Sequence, residues 1–384
     1  MRPISMKILV VSPRMPADGG KGDQLRAFQL VRALAREHTV EVVTTGAGVG
    51  STVWPDSLSA VAEVRLYEVS AAARAAGGLG ALLRAQPFQV GWMTPWGCWR
   101  DILQRAESCD VVLAITARSV RGSLAAPVVL DHVDALSVNM RRRAAGPEAA
   151  PIRWAARLEA VLLERWERRL REHVAAQIAI SPLDAQFLPR PPDPNVVPNC
   201  VELPPPPGSH ERDLDVILTG NMAYPPNRDA ARWLSDSIAP ELWARRPETS
   251  IWVVGRGAKA LALDPRIEVR TDVPALTPFL QRAKIAIAPL RIGTGSPNKV
   301  LEAMAAGAAV VATPEAVASF AFPAGAVETA ETTEGLASAA EHLLADPSAR
   351  SALVMRSSEV VQLYSPAAQR ERLEAILTSI VRQE

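Results

Sequence analysis

Short apolar, β-branched runs alternate with segments of helical period twice along this chain, and a proline-dense stretch separates the two series. The first series is KILVVS (7–12), TVEVVTT (39–45), DVVLAI (110–115) and PVVLD (127–131). Runs of this kind, closed by turn residues and followed by helical spacing, are strands of a parallel sheet joined by βα crossovers. Between the first two, Leu25, Phe28, Val31 and Leu34 recur every third residue behind Asp23, which can cap a helix after Gly22. The second series is LDVILTG (214–220), SIWVVG (250–255), AKIAIAPL (283–290) and AAVVATP (308–314). Between 189 and 207, nine of nineteen residues are proline, which suits neither helix interiors nor sheet centres and stiffens an extended connection. The expected fold class is α/β, with two doubly wound domains over 1–195 and 209–365 joined by a Pro-rich linker over 196–208. Sheets of this type bind ligands outside the carboxyl ends of their strands, so two facing domains would hold substrates in a central cleft.

Composition narrows the class. A length of 384 residues fits two domains, and 48% hydrophobic with 22% charged residues provides for sizeable cores. The longest stretch free of Asp, Glu, Lys and Arg is 85–99, broken by two prolines and two glycines, too short and interrupted for a membrane span. The N-terminus enters a strand pattern without the apolar segment of a secretory signal, so the expected location is the cytoplasm. Three cysteines in no metal spacing, Cys98, Cys109 and Cys200, are expected as reduced thiols. Residues 1–200 hold 24 basic and 19 acidic side chains, the remainder 18 and 22. A basic first half suits an anionic acceptor or peripheral contact with a membrane surface, and falls short of a nucleic-acid-binding signature. Residues 152–174, with Leu158, Val161, Leu162 and Leu170 among many Arg and Glu, read as an amphipathic helix. That helix and Arg141, Arg142 and Arg143 could meet lipid headgroups or form an ordinary solvated face. Trp92, Trp96 and Trp99 fit an acceptor pocket or core packing.

Two segments suit a bound anion. In PADGGKGD (16–23), Gly19, Gly20 and Gly22 let the backbone approach a ligand, and the helix start beyond offers free amides; a bare tight turn fits the same residues. In PLRIGTGSPNKVLEAMAAG (289–307), a buried strand passes through a glycine loop into a helix bearing Lys299 and Glu302. Free amides, the helix dipole and the ammonium favour negative charge there, while Glu302 can accept paired hydrogen bonds from a ribose diol. Val300 after Lys299 rules out a Walker A loop. A solvated i, i+3 pair on a helix face is the alternative reading of Lys299 and Glu302.

These segments, with VPNCVE (197–202), AISPLD (179–184), GNMAYPPNRDAARWL (220–234), VVGRG (253–257), KGDQLRAFQLVRALA (21–35) and DHVDALS (131–137), resemble in order the retaining glycosyltransferases of family 4, closest to the exopolysaccharide-associated sugar transferases. The resemblance spans nearly the whole chain. It implies the GT-B architecture: two Rossmann-like domains facing a central cleft, acceptor on the first and nucleotide-sugar donor on the second, with the C-terminal helix of about 366–384 packed back on the first. It implies transfer from a nucleotide-diphosphate sugar to a small-molecule, lipid-linked or glycan acceptor, without a metal or other cofactor. Donor-binding positions carried over are Gly19, Gly20, Gly22, Gly220, Asn221, Gly255, Arg256, Gly293, Thr294, Gly295, Ser296, Pro297, Asn298, Lys299, Val300 and Glu302; His132, Lys299 and Glu302 are the catalytic positions. Lys299 and Arg256 would neutralise the departing diphosphate, and Glu302 would hold the ribose. His132, between Asp131 and Asp134 at a strand exit, faces the donor sugar in one reading and is structural in the other.

The sequence also departs from the family. Thr294 stands where the first of two paired glutamates is expected, and the basic pair after the first strand of the second domain is missing, with Asn221 and 225–227 in its place. Phosphate neutralisation then falls on Lys299, Arg256 or Arg291. Rival readings are a metal-dependent transferase using Asp213 and Asp215, a sugar-nucleotide epimerase on a similar frame, and a non-catalytic binding or scaffold protein.

Overall fold

The computed structural model describes residues 5–18, 22–45, 58, 63–146, 149–205, 212–292 and 296–382. The chain forms two compact units, Met1–Pro198 with Gln369–Glu384, and Asn199–Ala368.

In the first unit β1 (Lys7–Ser12), β2 (Thr39–Thr44), β3 (Glu63–Leu66), β4 (Val111–Ile115), β5 (Val128–Asp131), β6 (Ala176–Ala179) and β7 (Asn195–Val196) form one sheet. The order is β3-β2-β1-β4-β5-β6-β7 and every pairing is parallel. Strand order reverses at β1, so the crevice outside the carboxyl ends of β1 and β4 is the topological switch point. Alternation along β1 explains why it has no polar face: Ile8 and Val10 pack on one side with Phe28, Val31, Leu373 and Leu377, Leu9 and Val11 on the other with Trp99, Ile102, Leu163 and Trp166. Helix Gly22–Leu34 supplies Phe28 and Val31, and helix Pro366–Val381 supplies Leu373 and Leu377.

Three details differ from the sequence reading. Asp23 lies inside the first turn of its helix, where Arg14 donates to it at 2.6 Å, so it is an ion-pair partner rather than the cap. The long helix runs Ala150–Leu170 and closes with a 3-10 turn at Arg171–His173. Its buried stripe is Ala156, Ala160, Leu163, Trp166 and Leu170, whereas Leu158 and Val161 are 42% and 47% exposed because they fall off that 3.6-residue stripe.

In the second unit β8 (Leu214–Thr219), β9 (Ile251–Gly255), β10 (Glu268–Thr271), β11 (Ala283–Ala288), β12 (Ala309–Ala312) and β13 (Glu328–Thr329) pair in the order β10-β9-β8-β11-β12-β13, again all parallel. Reversal at β8 puts the switch point between β8 and β11. Ile217, Val253, Ile285 and Val311, each fully buried, form the centre of a core that Leu301, Leu336 and Leu343 complete from the flanking helices. The short edge strands β3, β10 and β13 escape sequence reading because their side chains alternate with solvent or span two residues only. No helix among the described residues is long and apolar enough to cross a membrane. The three cysteines are free thiols.

Candidate functional site

Three connections meet at the switch point of the second unit. Beyond β8 and β9 the chain turns at Gly220 and Gly255, with φ of +155° and +148°, values that L side chains rarely adopt. A Cβ on Gly255 would stand 2.0 Å from the Gly220 carbonyl oxygen, and one on Gly220 would stand 2.8 Å from Asn227 Nδ2 and 3.2 Å from Lys299 Nζ. Glycine at both positions therefore lets two loops touch and brings backbone against the Lys299 ammonium. From the third side, helix Asn298–Ala305 opens behind Pro297 with no side-chain cap, leaving its first amides toward any anion.

Lys299 Nζ donates to Asn227 Oδ1 at 2.5 Å, and Asn227 Nδ2 in turn donates to the Asn221 carbonyl at 2.9 Å. Asn227 is 8% exposed in the first turn of helix Pro225–Trp233, placed there by two prolines at the helix start. A buried amide, neutral and doubly bonded, thus orients the ammonium without neutralising it. Burial pulls Lys299 down to about 8, opposed by the charge of Glu302, and the same burial raises Glu302, opposed by Lys299. Both side chains are half-buried, so the pair is not the solvated helix-face pair of the alternative reading. Ser296 has a buried hydroxyl with no hydrogen-bond partner, and Asn298 accepts from Asn199 Nδ2 at 3.2 Å.

The remaining positions divide. Asn221 and Arg256 are exposed, and the Arg256 carbonyl accepts from the Met222 amide at 2.8 Å. Val300, expected among donor-contacting residues, is 1% exposed in the core, and its amide donates to the Pro297 carbonyl; its side chain serves packing. Arg291 donates to both carboxylate oxygens of Asp229, at 3.0 and 2.5 Å, and stacks over Trp233, so its charge is already engaged. Asp213 pairs with Arg282, and Asp215 with Lys284 at 2.8 Å, which commits both carboxylates of the metal-site rival. Among the described residues no group of three or more His, Cys, Asp or Glu could hold a metal ion. Gly19, Gly20, Gly293, Thr294 and Gly295 lie outside the described residues.

The corresponding strand ends of the first unit are arranged differently. Asp131, fully buried, accepts Arg26 Nε at 2.8 Å and the Val133 amide at 3.0 Å. Arg26, 1% exposed, also donates to the carbonyls of Val197 and Pro198 at 2.7 and 2.8 Å. The ring of His132 is 2% exposed; its Nε2 meets Gln177 Oε1 at 2.8 Å and its Nδ1 has no partner. Burial pushes His132 down to about 4, so it is a neutral imidazole at pH 7. A buried ring does not face an open strand end; the half-buried group there is Asp134, raised to about 6 chiefly by burial, then by Asp184, with Arg118 opposing. Sequence reasoning placed no role on Asp134 or Asn227. The first is marked only by its position two residues past a strand exit, the second by its place behind two helix-starting prolines. Gly22 is exposed with open space at its Cβ position.

Residues 213–346 match the family described as Glycosyl transferases group 1, and this segment contains Gly220, Asn227, Gly255, Lys299 and Glu302. No curated protein matches the chain. Among solved structures it is similar to sucrose-phosphate synthase from Thermosynechococcus elongatus (16% identity, 98% of this chain and 100% of that one, TM-score 0.69). It is also similar to Anabaena HepE in complex with UDP-glucose (14% identity, 97% and 100%, TM-score 0.64). A third similar structure is WaaG, a glycosyltransferase involved in lipopolysaccharide biosynthesis (15% identity, 97% and 99%, TM-score 0.63). These likenesses establish the fold, two Rossmann-like α/β units of the GT-B class.

Proposed function

We propose that this chain is a glycosyltransferase that takes a sugar from a nucleoside diphosphate, with the diphosphate held in the second unit. The observation that carries the reading is the Lys299 ammonium, half-buried at an uncapped helix start and hydrogen-bonded to a neutral amide. A diphosphate placed there would meet the ammonium, the first helix amides and the Ser296 hydroxyl. Glu302, one turn along, would take the ribose hydroxyls. The match of residues 213–346 to Glycosyl transferases group 1 supports this assignment, and the HepE complex makes UDP-glucose the first donor to test.

In the reaction we propose, the bond from the anomeric carbon to the diphosphate oxygen breaks and its electron pair leaves with the diphosphate. The acceptor hydroxyl forms its bond to the same carbon from the same face, and its proton passes to the departing oxygen, so configuration is retained. Charge accumulates on the diphosphate as the sugar becomes oxocarbenium-like; groups already fixed against it lower that barrier more than they tighten the ground state. Lys299 supplies that charge, so no metal is assigned to the step. The acceptor is assigned to the first unit. Peripheral membrane contact is assigned to the same unit's groove of about 620 Å³, lined by Ile152, Trp154, Leu158 and Arg143.

The test is turnover of UDP-glucose over a panel of hydroxyl acceptors in the presence of excess chelator. Lys299→Ala and Glu302→Ala are each expected to lose 10-fold or more, about 1.4 kcal/mol. Wild-type rates in both variants would refute the assignment. Donor epimerisation without acceptor, or nucleotide binding with no turnover on any acceptor, would favour the epimerase or the scaffold reading instead.

A further inference from the structure

A second cationic cluster lies in the first unit, and it shares no residue with the Lys299 site. Helix Trp96–Ala106 begins behind Pro95 with no side-chain cap, and Trp99 is the first residue whose amide is engaged, by the Pro95 carbonyl. Just before that helix, the Thr94 carbonyl accepts Arg121 NH1 at 2.7 Å. Arg121 is 8% exposed, and its Nε and NH2 nitrogens are buried without any hydrogen-bond partner. Its guanidinium sits 4.4 Å from the ring centre of Trp96, which is itself 49% exposed. A second guanidinium, that of the exposed Arg84, lies 6.0 Å from the same ring. Burial lowers Arg121, and the neighbouring charge of Arg84 lowers it further; among the described residues no carboxylate counters them. At Gly97, in the first helical turn, a Cβ would meet nothing within 4 Å, so the backbone there is open to approach.

A buried guanidinium with three unpaired N–H groups is costly unless an anion completes it. Stacking on Trp96 offsets part of that cost and satisfies none of the donors. Arg84 NH1 already donates to the Gly80 carbonyl at 2.8 Å, so the donors that remain are those of Arg121, the other nitrogens of Arg84 and the first helix amides, and they match an oxyanion with several acceptor oxygens.

We propose that Arg121, Arg84 and the start of helix Trp96–Ala106 form a binding site for a phosphate group carried by a second ligand. The site is independent of the donor assignment. Its chemistry fits either a soluble phosphate ester or the headgroup of a phospholipid.

The test uses the full chain carrying Lys299→Ala, which weakens the proposed donor site, titrated calorimetrically with inorganic phosphate at constant ionic strength balanced by chloride, and reads the loss that Arg121→Gln adds to it. Saturable binding is expected. Adding Arg121→Gln should weaken it about 10-fold or more, and Arg84→Gln, at an exposed position, about threefold. Should Arg121→Gln fail to fold, Gly97→Val closes the backbone approach without touching charge and should also weaken binding. Competition by glycerol phosphate, with no retention on phosphatidic-acid vesicles, assigns a soluble ester. Retention on those vesicles that Arg84→Gln abolishes assigns a lipid headgroup. Absence of saturable phosphate binding, or unchanged affinity in both Arg84→Gln and Gly97→Val, overturns the proposal.

Discussion

The two units share a strand order that reverses at their first strand, yet they use the crevice at that reversal in opposite ways. In the first unit the cation at the strand ends, Arg26, is consumed internally by Asp131 and by the carbonyls of Val197 and Pro198. In the second, Lys299 has a neutral amide as its hydrogen-bond partner and an open helix start beside it. The same order over six strands thus holds a cation on a carboxylate in one unit and on a neutral amide in the other. What separates them is whether a carboxylate or an amide is the cation's hydrogen-bond partner, Glu302 acting on Lys299 through its charge alone.

The largest expected effect comes from breaking the clamp of Arg26 on Asp131. Asp131→Ala leaves Arg26 buried and uncompensated and should destabilise the first unit by about 3–5 kcal/mol, read as a shifted denaturant midpoint. A loss under about 1 kcal/mol, the size of a surface pair, would show that the clamp is not internal in solution.

Acid should act next, through two opposed groups. His132, held near 4, binds fewer protons folded than unfolded between pH 6.5 and 4, so its contribution to stability is lost as pH falls through that window, by ~3 kcal/mol. Asp134, raised to about 6, binds more protons when folded between pH 4 and 6, so it favours the folded state on acidification. The wild type should therefore show a shallow profile. Asp134→Asn should expose the His132 loss, and His132→Gln should reverse the slope; identical profiles in all three proteins would mean that neither group is buried as described.

In the second unit, Gly255→Ala places a Cβ against the Gly220 carbonyl at a φ of +148°, costing about 1–3 kcal/mol and weakening donor binding because the loops must part. Unchanged stability and binding would remove the convergence of those loops from the account. Asn227→Asp gives Lys299 the carboxylate that Arg26 already has, and donor affinity should fall about 10-fold, or ~1.4 kcal/mol. An unchanged affinity would mean that the neutrality of residue 227 is irrelevant.

Much of this frame was legible in the sequence, and the reasons are physical. Strands β1, β4, β8, β11 and β12 announce themselves because burial on both faces demands continuous apolar runs. The Lys299 helix, Asn298–Ala305, was legible because helical spacing follows a buried strand and a proline at its start. What sequence could not supply was orientation. His132 and Asp134 are two residues apart, on either side of a backbone turn at Val133 with φ +60°, and the ring is buried while the carboxylate is half-buried. Val300 and Lys299 are adjacent, but helical geometry sends one to the core and the other to the strand ends. Asn227 reaches Lys299 across 72 residues, a pairing no local pattern encodes.

Under the proposed function, the Lys299 ammonium is the charge that receives the donor diphosphate. Titration of UDP into wild type and Lys299→Ala at pH 7 and pH 9, followed by calorimetry, tests it directly. Because burial pulls Lys299 down to about 8, wild-type affinity should fall between the two pH values, while Lys299→Ala should bind about 10-fold more weakly at pH 7 and show a smaller change with pH. Equal affinities of the two proteins at pH 7, with the same pH dependence, would contradict the account.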